Sequence, residues 1–177
     1  MENNVELTKL SEIGEYFSLT TQEVKRIMLE VGNRECAKLL YFDYESSIYY
    51  SSSYLFEKIK EVDDNLKNYI FNEEDVIKTG SDCIPFNPCP TVYFLLRDGE
   101  IIYIGKTLDL AGRISSHLKD KYFDKIASYT VLDKNRLGII ENVNIRYYNP
   151  KLNISIMNDG EYFRAILNEI DLTCFEW

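Results

Sequence analysis

Two continuous apolar runs dominate the middle of the chain: Val92 to Leu96, and Ile101 to Ile104. Both are built from β-branched and aromatic residues, the composition that pleated strands prefer. Asp98-Gly99 stands between them, a pair that accepts positive φ and closes tight hairpins. The pattern predicts an antiparallel β-hairpin whose second arm closes at Gly105. Past Lys106 the period changes to helical. Asp109 to His117 predicts a short helix with Asp109 as N-cap. Arg113 and His117 then share one face of that helix.

Upstream, helical spacing predicts a helix from Leu10 to Phe17 with Ser11 as its cap, and a turn at Ser18-Leu19-Thr20. A second helix over Gln22 to Val31 follows, stopped at Gly32. Ile13, Phe17, Leu19, Val24, Ile27 and Met28 are spaced to meet in one small core. The arrangement resembles DNA-binding helix-turn-helix units, with Gly14 at the crossing and Ser18 where a turn glycine is usual. A structural or protein-contact role fits it equally. Leu39–Tyr44 and Ser47–Tyr50 read as two strands forming a wing. A helix follows over Tyr54 to Val62, broken at Asp63-Asp64-Asn65, with short helical pieces at 66–71 and 75–78. Residues 79–90 hold three of the four prolines and read as a stiff connector. Downstream, Ile126 to Leu132 is a third strand. Arg136 to Tyr147 is a helix capped by Asp133 or Asn135, and residues 161–172 form an amphipathic closing helix.

Charge sharpens this division. The chain of 177 residues carries a net charge of −9. Residues 91–153 hold 10 Lys/Arg against 7 Asp/Glu, whereas residues 1–90 hold 9 against 17 and residues 154–177 hold 1 against 5. The one basic segment contains the hairpin, so a phosphate-binding face would lie there between acidic flanks. Four cysteines without a C-x-x-C pair and a single histidine argue against a zinc finger. No run approaches the length of a membrane span and the N-terminus lacks a secretory pattern. The expectation is an intracellular, cytoplasmic protein with free thiols.

The chemistry concentrates in the same segment. Tyr93 and Tyr103 sit on opposite arms of the hairpin, followed by Lys106, Arg113 and His117. Later come Glu141, on a helix, and the ending Pro150-Lys151-Leu152-Asn153. Val-Tyr, then Tyr-Ile-Gly-Lys, then Arg-x-x-x-His, with a helix glutamate and Pro-x-x-Asn to close, resembles the GIY-YIG nuclease family. The resemblance covers residues 91–153 and departs from the family at Thr91, where relatives carry glycine. It implies a functional set of Tyr93, Tyr103, Lys106, Arg113, His117, Glu141 and Asn153, with a single divalent ion. The residues can supply that chemistry. Glu141 is the candidate metal ligand, since hard cations such as Mg²⁺ or Mn²⁺ take carboxylates and retained waters. Arg113 suits a phosphate through its planar fork. Tyr93, Tyr103 or His117 fits the base, and Lys106 could lower a phenol's pKa.

The expected architecture is α+β: a three-stranded antiparallel sheet flanked by helices, preceded by a small winged-helix-like unit. Its parts are residues 1–78, a linker at 79–90, and a nuclease-like domain with its C-terminal helix at 91–177. The expected function is metal-dependent endonuclease action on DNA by water attack. The alternative is a non-catalytic DNA-binding or regulatory protein of the same fold. A protein partner or DNA contact through the N-terminal unit, and no membrane, complete the expectation.

Overall fold

The computed structural model describes residues 5–84, 86–153 and 159–175. The chain forms two compact units, Met1–Asn65 with Asn158–Trp177, and Leu66–Met157. Each contains a three-stranded antiparallel sheet with helices, as the α+β expectation requires.

In the first unit, β1 (Leu7–Lys9) leads directly into α1 (Leu10–Phe17) and α2 (Thr21–Glu35). Ser18 adopts the left-handed conformation, φ 58°, that turns the chain between the helices. Gly14 permits the crossing, because a Cβ there would stand 2.5 Å from the Leu19 carbonyl oxygen. Thr20 and Glu23 form a reciprocal capping box at the start of α2. Helix α2 runs on past Gly32, the expected stop, and ends at a left-handed Cys36. Gly32 is needed for proximity instead, since its Cβ would lie 2.7 Å from the Ala37 carbonyl. Ser11 is not the cap of α1; Lys9 holds that position without a side-chain bond.

The wing is β2 (Tyr41–Asp43) and β3 (Ile48–Ser52), with β1 completing the sheet in the order β1-β3-β2. Helix α3 (Ser53–Leu66) continues through Asp63-Asp64-Asn65, where the sequence predicts a break. The reason is tertiary: Asp63 is buried and accepts hydrogen bonds from the Tyr16 and Tyr162 hydroxyls, at 2.8 and 2.6 Å. Helix α7 (Asp159–Asn168) belongs to this unit rather than to the nuclease-like one. Phe163 packs on Phe17 with ring centroids 4.9 Å apart, and Arg164 donates to both carboxylate oxygens of Glu30.

The second unit begins earlier than expected. Residues 67–69 form a 3₁₀ turn and α4 spans Glu73–Thr79. The stretch expected to be a stiff connector is also tied to the sheet, as Ser81 exchanges two backbone hydrogen bonds with Ile126. The sheet itself is β4 (Thr91–Arg97), β5 (Glu100–Thr107) and β6 (Lys125–Thr130), in the order β5-β4-β6. Asp98 and Gly99 both take positive φ, 53° and 78°, and close the hairpin as their types predict. Strand β5 extends two residues beyond Gly105. Central β4 is buried at six of its seven positions because both faces are covered. Helix α5 (Leu110–His117) contributes Leu110 and Ile114 to a core with Tyr93, Leu95 and Tyr103. On the other face Phe94 meets Phe71, Tyr129 and Tyr148 edge to face. Helix α6 (Leu137–Tyr148) packs against β4 and β5. Its N-terminus is preceded by a 3₁₀ turn that Asp133 caps, so the expected cap sits one turn early.

Candidate active site

The hairpin register places Tyr93 opposite Gly105 and Leu95 opposite Tyr103. Both tyrosines therefore point to the α5 side of the sheet. Asp109 caps α5 by accepting from the Gly112 N–H at 3.1 Å, which fixes where the helix starts and aims Arg113 and His117 back at the strands. The result is a compact group. Tyr93 Oη lies 2.7 Å from His117 Nε2, and Arg113 donates from Nε to the same hydroxyl at 3.3 Å. Tyr103 stands edge-on to His117, centroids 4.9 Å apart, and 6.1 Å from the Tyr93 ring.

Gly105, expected to close the second arm, lies inside β5 and is close-packed there. A Cβ there would stand 2.5 Å from Tyr93 Oη and 2.9 Å from Tyr103 Cε1. The glycine is thus the space in which the Tyr93 hydroxyl end lies. Its one sequence signal is a glycine inside an otherwise strand-like run.

Glu141 and Lys106 form the second cluster. Helix α6 turns Glu141 inward and β5 presents Lys106, with Nζ 2.8 Å from Oε2. The Glu141 side chain is only 10% exposed while that of Lys106 is 45% exposed. Gly138, one turn earlier on α6, faces the same lysine, its would-be Cβ 3.3 Å from Nζ. Burial raises the Glu141 pKa above the usual carboxylate range; the Lys106 hydrogen bond and charge, with a weaker field from Arg113, pull it back.

Burial also raises the Tyr93 pKa above that of a free phenol, against the opposing pull of Arg113. It lowers the His117 pKa, helped by the charges of Lys121 and Arg113 and opposed by Asp120. At neutral pH the buried pair is therefore a phenol and an uncharged imidazole. Asn153 stands apart from these groups. Its Oδ1 accepts from the Ile104 N–H at 2.8 Å and its Nδ2 donates to the Ile104 carbonyl at 2.7 Å. The amide thus completes the hydrogen bonding of the outer, buried edge of β5 and holds the strand that carries Tyr103 and Lys106. Asn153→Ala leaves both backbone groups buried and unpaired, a loss of about 2–4 kcal/mol of stability from two such groups, readable as a lowered urea midpoint. An unchanged midpoint would mean that water replaces the amide.

Thr91, where the resemblance calls for glycine, is fully buried, donates to the Cys89 carbonyl at 2.7 Å and accepts from Asn87 Nδ2 at 3.1 Å. It touches none of the chemical groups described above. The four cysteines are free thiols. Among the described residues no group of three His, Cys, Asp or Glu side chains converges on one point, and no helix is long and apolar enough to cross a membrane.

No family model matches the chain. Two curated relatives do: UvrABC system protein C of Citrifermentans bemidjiense, 32% identical over 91 residues, and that of Idiomarina loihiensis, 33% identical over 90. Each match covers 44% of this chain but 15% of the relative, so the chain spans a small part of their length. Solved structures similar to it include the magnesium-bound GIY-YIG N-terminal endonuclease domain of UvrC from Thermotoga maritima. That likeness has 25% identity over 46% of this chain and 96% of that one, with a TM-score of 0.36. A second is a tyrosine-to-phenylalanine point mutant of the same domain, also bound to its divalent cation, at 28% identity over 40% and 89%, with a TM-score of 0.36.

Residues 91–153 are similar to the GIY-YIG nuclease family in the order of their motif residues, and the two curated relatives agree with that likeness. Six of the seven expected site residues fall in two clusters, Tyr93-Tyr103-Arg113-His117 and Lys106-Glu141. The seventh, Asn153, braces the strand between them.

Proposed function

We propose that the protein is a divalent-metal-dependent DNA endonuclease that hydrolyses phosphodiester bonds by direct attack of water. The observation that carries this reading is the buried Glu141 carboxylate, paired with Lys106 and within the field of Arg113, in the same unit as the Tyr93–His117–Arg113 group. A lone buried carboxylate whose charge is penalised by its surroundings fits a hard cation that keeps most of its waters. Glu141 would hold that ion, Mg²⁺ or Mn²⁺. When bound, the ion supplies charge neutralisation for the phosphate and the leaving oxygen.

The protein groups do the rest. Arg113 directs its guanidinium at the phosphate and steadies the charge that grows on it. Tyr93 hydrogen-bonds the attacking water. As the water oxygen bonds phosphorus and the bond from phosphorus to the leaving oxygen breaks, the water's proton passes to the Tyr93 oxygen and the phenolic proton passes to His117 Nε2. The leaving oxygen departs as an alkoxide and takes a proton from solvent. His117 is suited to receive it because burial and its cationic neighbours keep it unprotonated at neutral pH. Tyr93 is a poor base alone, since burial holds its pKa up; the imidazole 2.7 Å away removes the need for a free phenolate. Tyr103 packs beside both groups. Lys106 neutralises Glu141 and, being 45% exposed, would be available to a phosphate oxygen if Glu141 held an ion.

Charge supports DNA contact through the GIY-YIG-like unit. Leu66–Met157 holds 12 Lys/Arg against 11 Asp/Glu, whereas the other unit holds 8 against 18. That acidic unit suits a protein partner better than a phosphate backbone, despite its helix-turn-helix form. The test is cleavage of supercoiled plasmid by the purified protein with Mg²⁺ or Mn²⁺, with EDTA, and with Glu141→Gln alongside. Nicking that needs the metal and vanishes in the variant is expected. Failure of the wild-type protein to cut plasmid, single-stranded or branched DNA would leave the binding-only alternative.

A further inference from the structure

Two residues just beyond α5, absent from the motif, are joined to the proposed proton path. Asp120 Oδ1 lies 3.8 Å from His117 Nδ1, the imidazole nitrogen opposite the one that meets Tyr93. The other Asp120 oxygen is held by Lys121 Nζ at 2.8 Å. The Lys121 side chain is 17% exposed and its ammonium also sits 5.2 Å from the centroid of the Tyr103 ring. The backbone fixes both residues, since the N–H groups of Asp120 and Lys121 donate to the His117 carbonyl at 3.1 and 2.8 Å. Rather than reach into solvent, Lys121 spans Asp120 and the face of an active-site phenol.

We propose that Asp120, held by Lys121, is a positioning residue that selects the tautomer of His117 carrying its proton on Nδ1, which leaves Nε2 free to accept from Tyr93. This rests on the endonuclease reading for its consequence but not for its structural core. A neutral imidazole has one N–H and one bare nitrogen, and a partner at one nitrogen decides the other. A carboxylate near Nδ1 favours the proton there. At 3.8 Å the contact is longer than a direct hydrogen bond, and toward the neutral imidazole it acts through the field of the carboxylate on Nδ1–H. It strengthens when His117 becomes positive on receiving the Tyr93 proton. The groups facing the imidazole are Tyr93 from β4, Tyr103 from β5, Arg113 on its own helix, and Asp120 and Lys121 from the following loop. Of these Asp120 alone is anionic. Lys121 has a second effect of opposite sign, disfavouring the charged imidazole and keeping it a base.

The chain has one histidine, so imidazole ¹⁵N shifts of the full-length protein report this tautomer without ambiguity. The wild-type protein should show a protonated Nδ1 and a bare Nε2 at about pH 7.5, above the ordinary imidazole range. Asp120→Ala and Asp120→Asn should move the population toward the other tautomer. Both variants should lower kcat for plasmid nicking by about tenfold or more with KM for DNA little changed. The acid limb of the pH–rate profile should shift to lower pH, since an imidazolium without its carboxylate forms less readily. Asp120 is largely exposed, so both variants should fold. Lys121→Met provides a second probe: it should raise the His117 pKa and shift the acid limb the opposite way. A wild-type protein protonated on Nε2, or Asp120 variants with unchanged ¹⁵N shifts, would overturn the proposal. Altered shifts with unchanged kcat would overturn the role in catalysis. If wild-type protein cuts no DNA at all, the endonuclease reading fails while the ¹⁵N measurement still decides the Asp120–His117 coupling.

Discussion

Glu141→Gln should eliminate metal-dependent cleavage, by on the order of 10³-fold, and at the same time raise the melting temperature of the metal-free protein at neutral pH. The two effects share one cause. The carboxylate is buried, and burial is the largest influence on its pKa, raising it above the unfolded value against the pull of Lys106. A group whose folded pKa is raised favours folding most below its unfolded pKa. That favourable contribution is lost as pH rises through the folded value. At neutral pH the wild-type protein therefore bears the cost of a buried charge that a glutamine does not carry. The difference in melting temperature between variant and wild type should open as pH rises above the ordinary carboxylate range and close in acid. Lys106 is half exposed and loses little when its partner becomes neutral. Adding Mg²⁺ should stabilise the wild-type protein and leave the variant unmoved, because a ligand raises stability only where the folded state binds it. Scanning calorimetry over that pH range with and without metal measures all of this. A variant that melts lower at neutral pH would mean that the Lys106–Glu141 pair is net stabilising and the site is structural.

Gly105→Ala should be nearly as damaging to cleavage while also destabilising the fold. The added Cβ would meet Tyr93 Oη at 2.5 Å, Tyr93 Cζ at 2.6 Å and Tyr103 Cε1 at 2.9 Å. Tyr93 has no room to yield. It is fully buried between strand and helix, and its hydroxyl is fixed by His117 and Arg113. Overpacking of this kind costs about 1–3 kcal/mol. Displacing a proton-transfer group by an ångström costs about 10²-fold in rate. The melting temperature and single-turnover nicking rate of the variant measure both. A double variant with Tyr93→Ala separates clash from chemistry. Removing the ring should make the two stability losses markedly less than additive, without recovering activity. Strict additivity would show that the strand shifts to accept the methyl group, and that glycine here serves some other need.

Much of this site could be read without coordinates. Hairpin formation depends on neighbours a few residues apart, and Asp98-Gly99 supplies the positive φ values wherever the segment is placed. The spacing of Arg113 and His117 on a short helix is equally local once Asp109 caps it. The paired helices α1 and α2 and the two wing strands of the first unit follow the same logic, whereas β1 carries no local signal of its own. Such features are set by backbone preference and short-range periodicity, which a linear pattern carries intact.

Tertiary structure decided what depends on partners distant in sequence. Nothing local keeps Asp63 helical; two tyrosine hydroxyls 47 and 99 residues away do. Nothing local assigns α7 to the first unit rather than to the GIY-YIG-like domain that precedes it; Phe17 and Glu30 do. Asn153 could be named by resemblance, yet its work on both backbone groups of Ile104 is visible only once the β5 edge exists. Asp120 and Lys121 carry no signal at all in the sequence, because an acidic and a basic residue side by side in a polar loop look like solvated surface. Their meaning comes from the His117 nitrogen and the Tyr103 ring that folding brings beside them. The sequence determined the elements and most of the reactive groups, since those are fixed by residue type and short-range order. The structure determined which burial and which neighbours tune those groups, since desolvation and charge act through space.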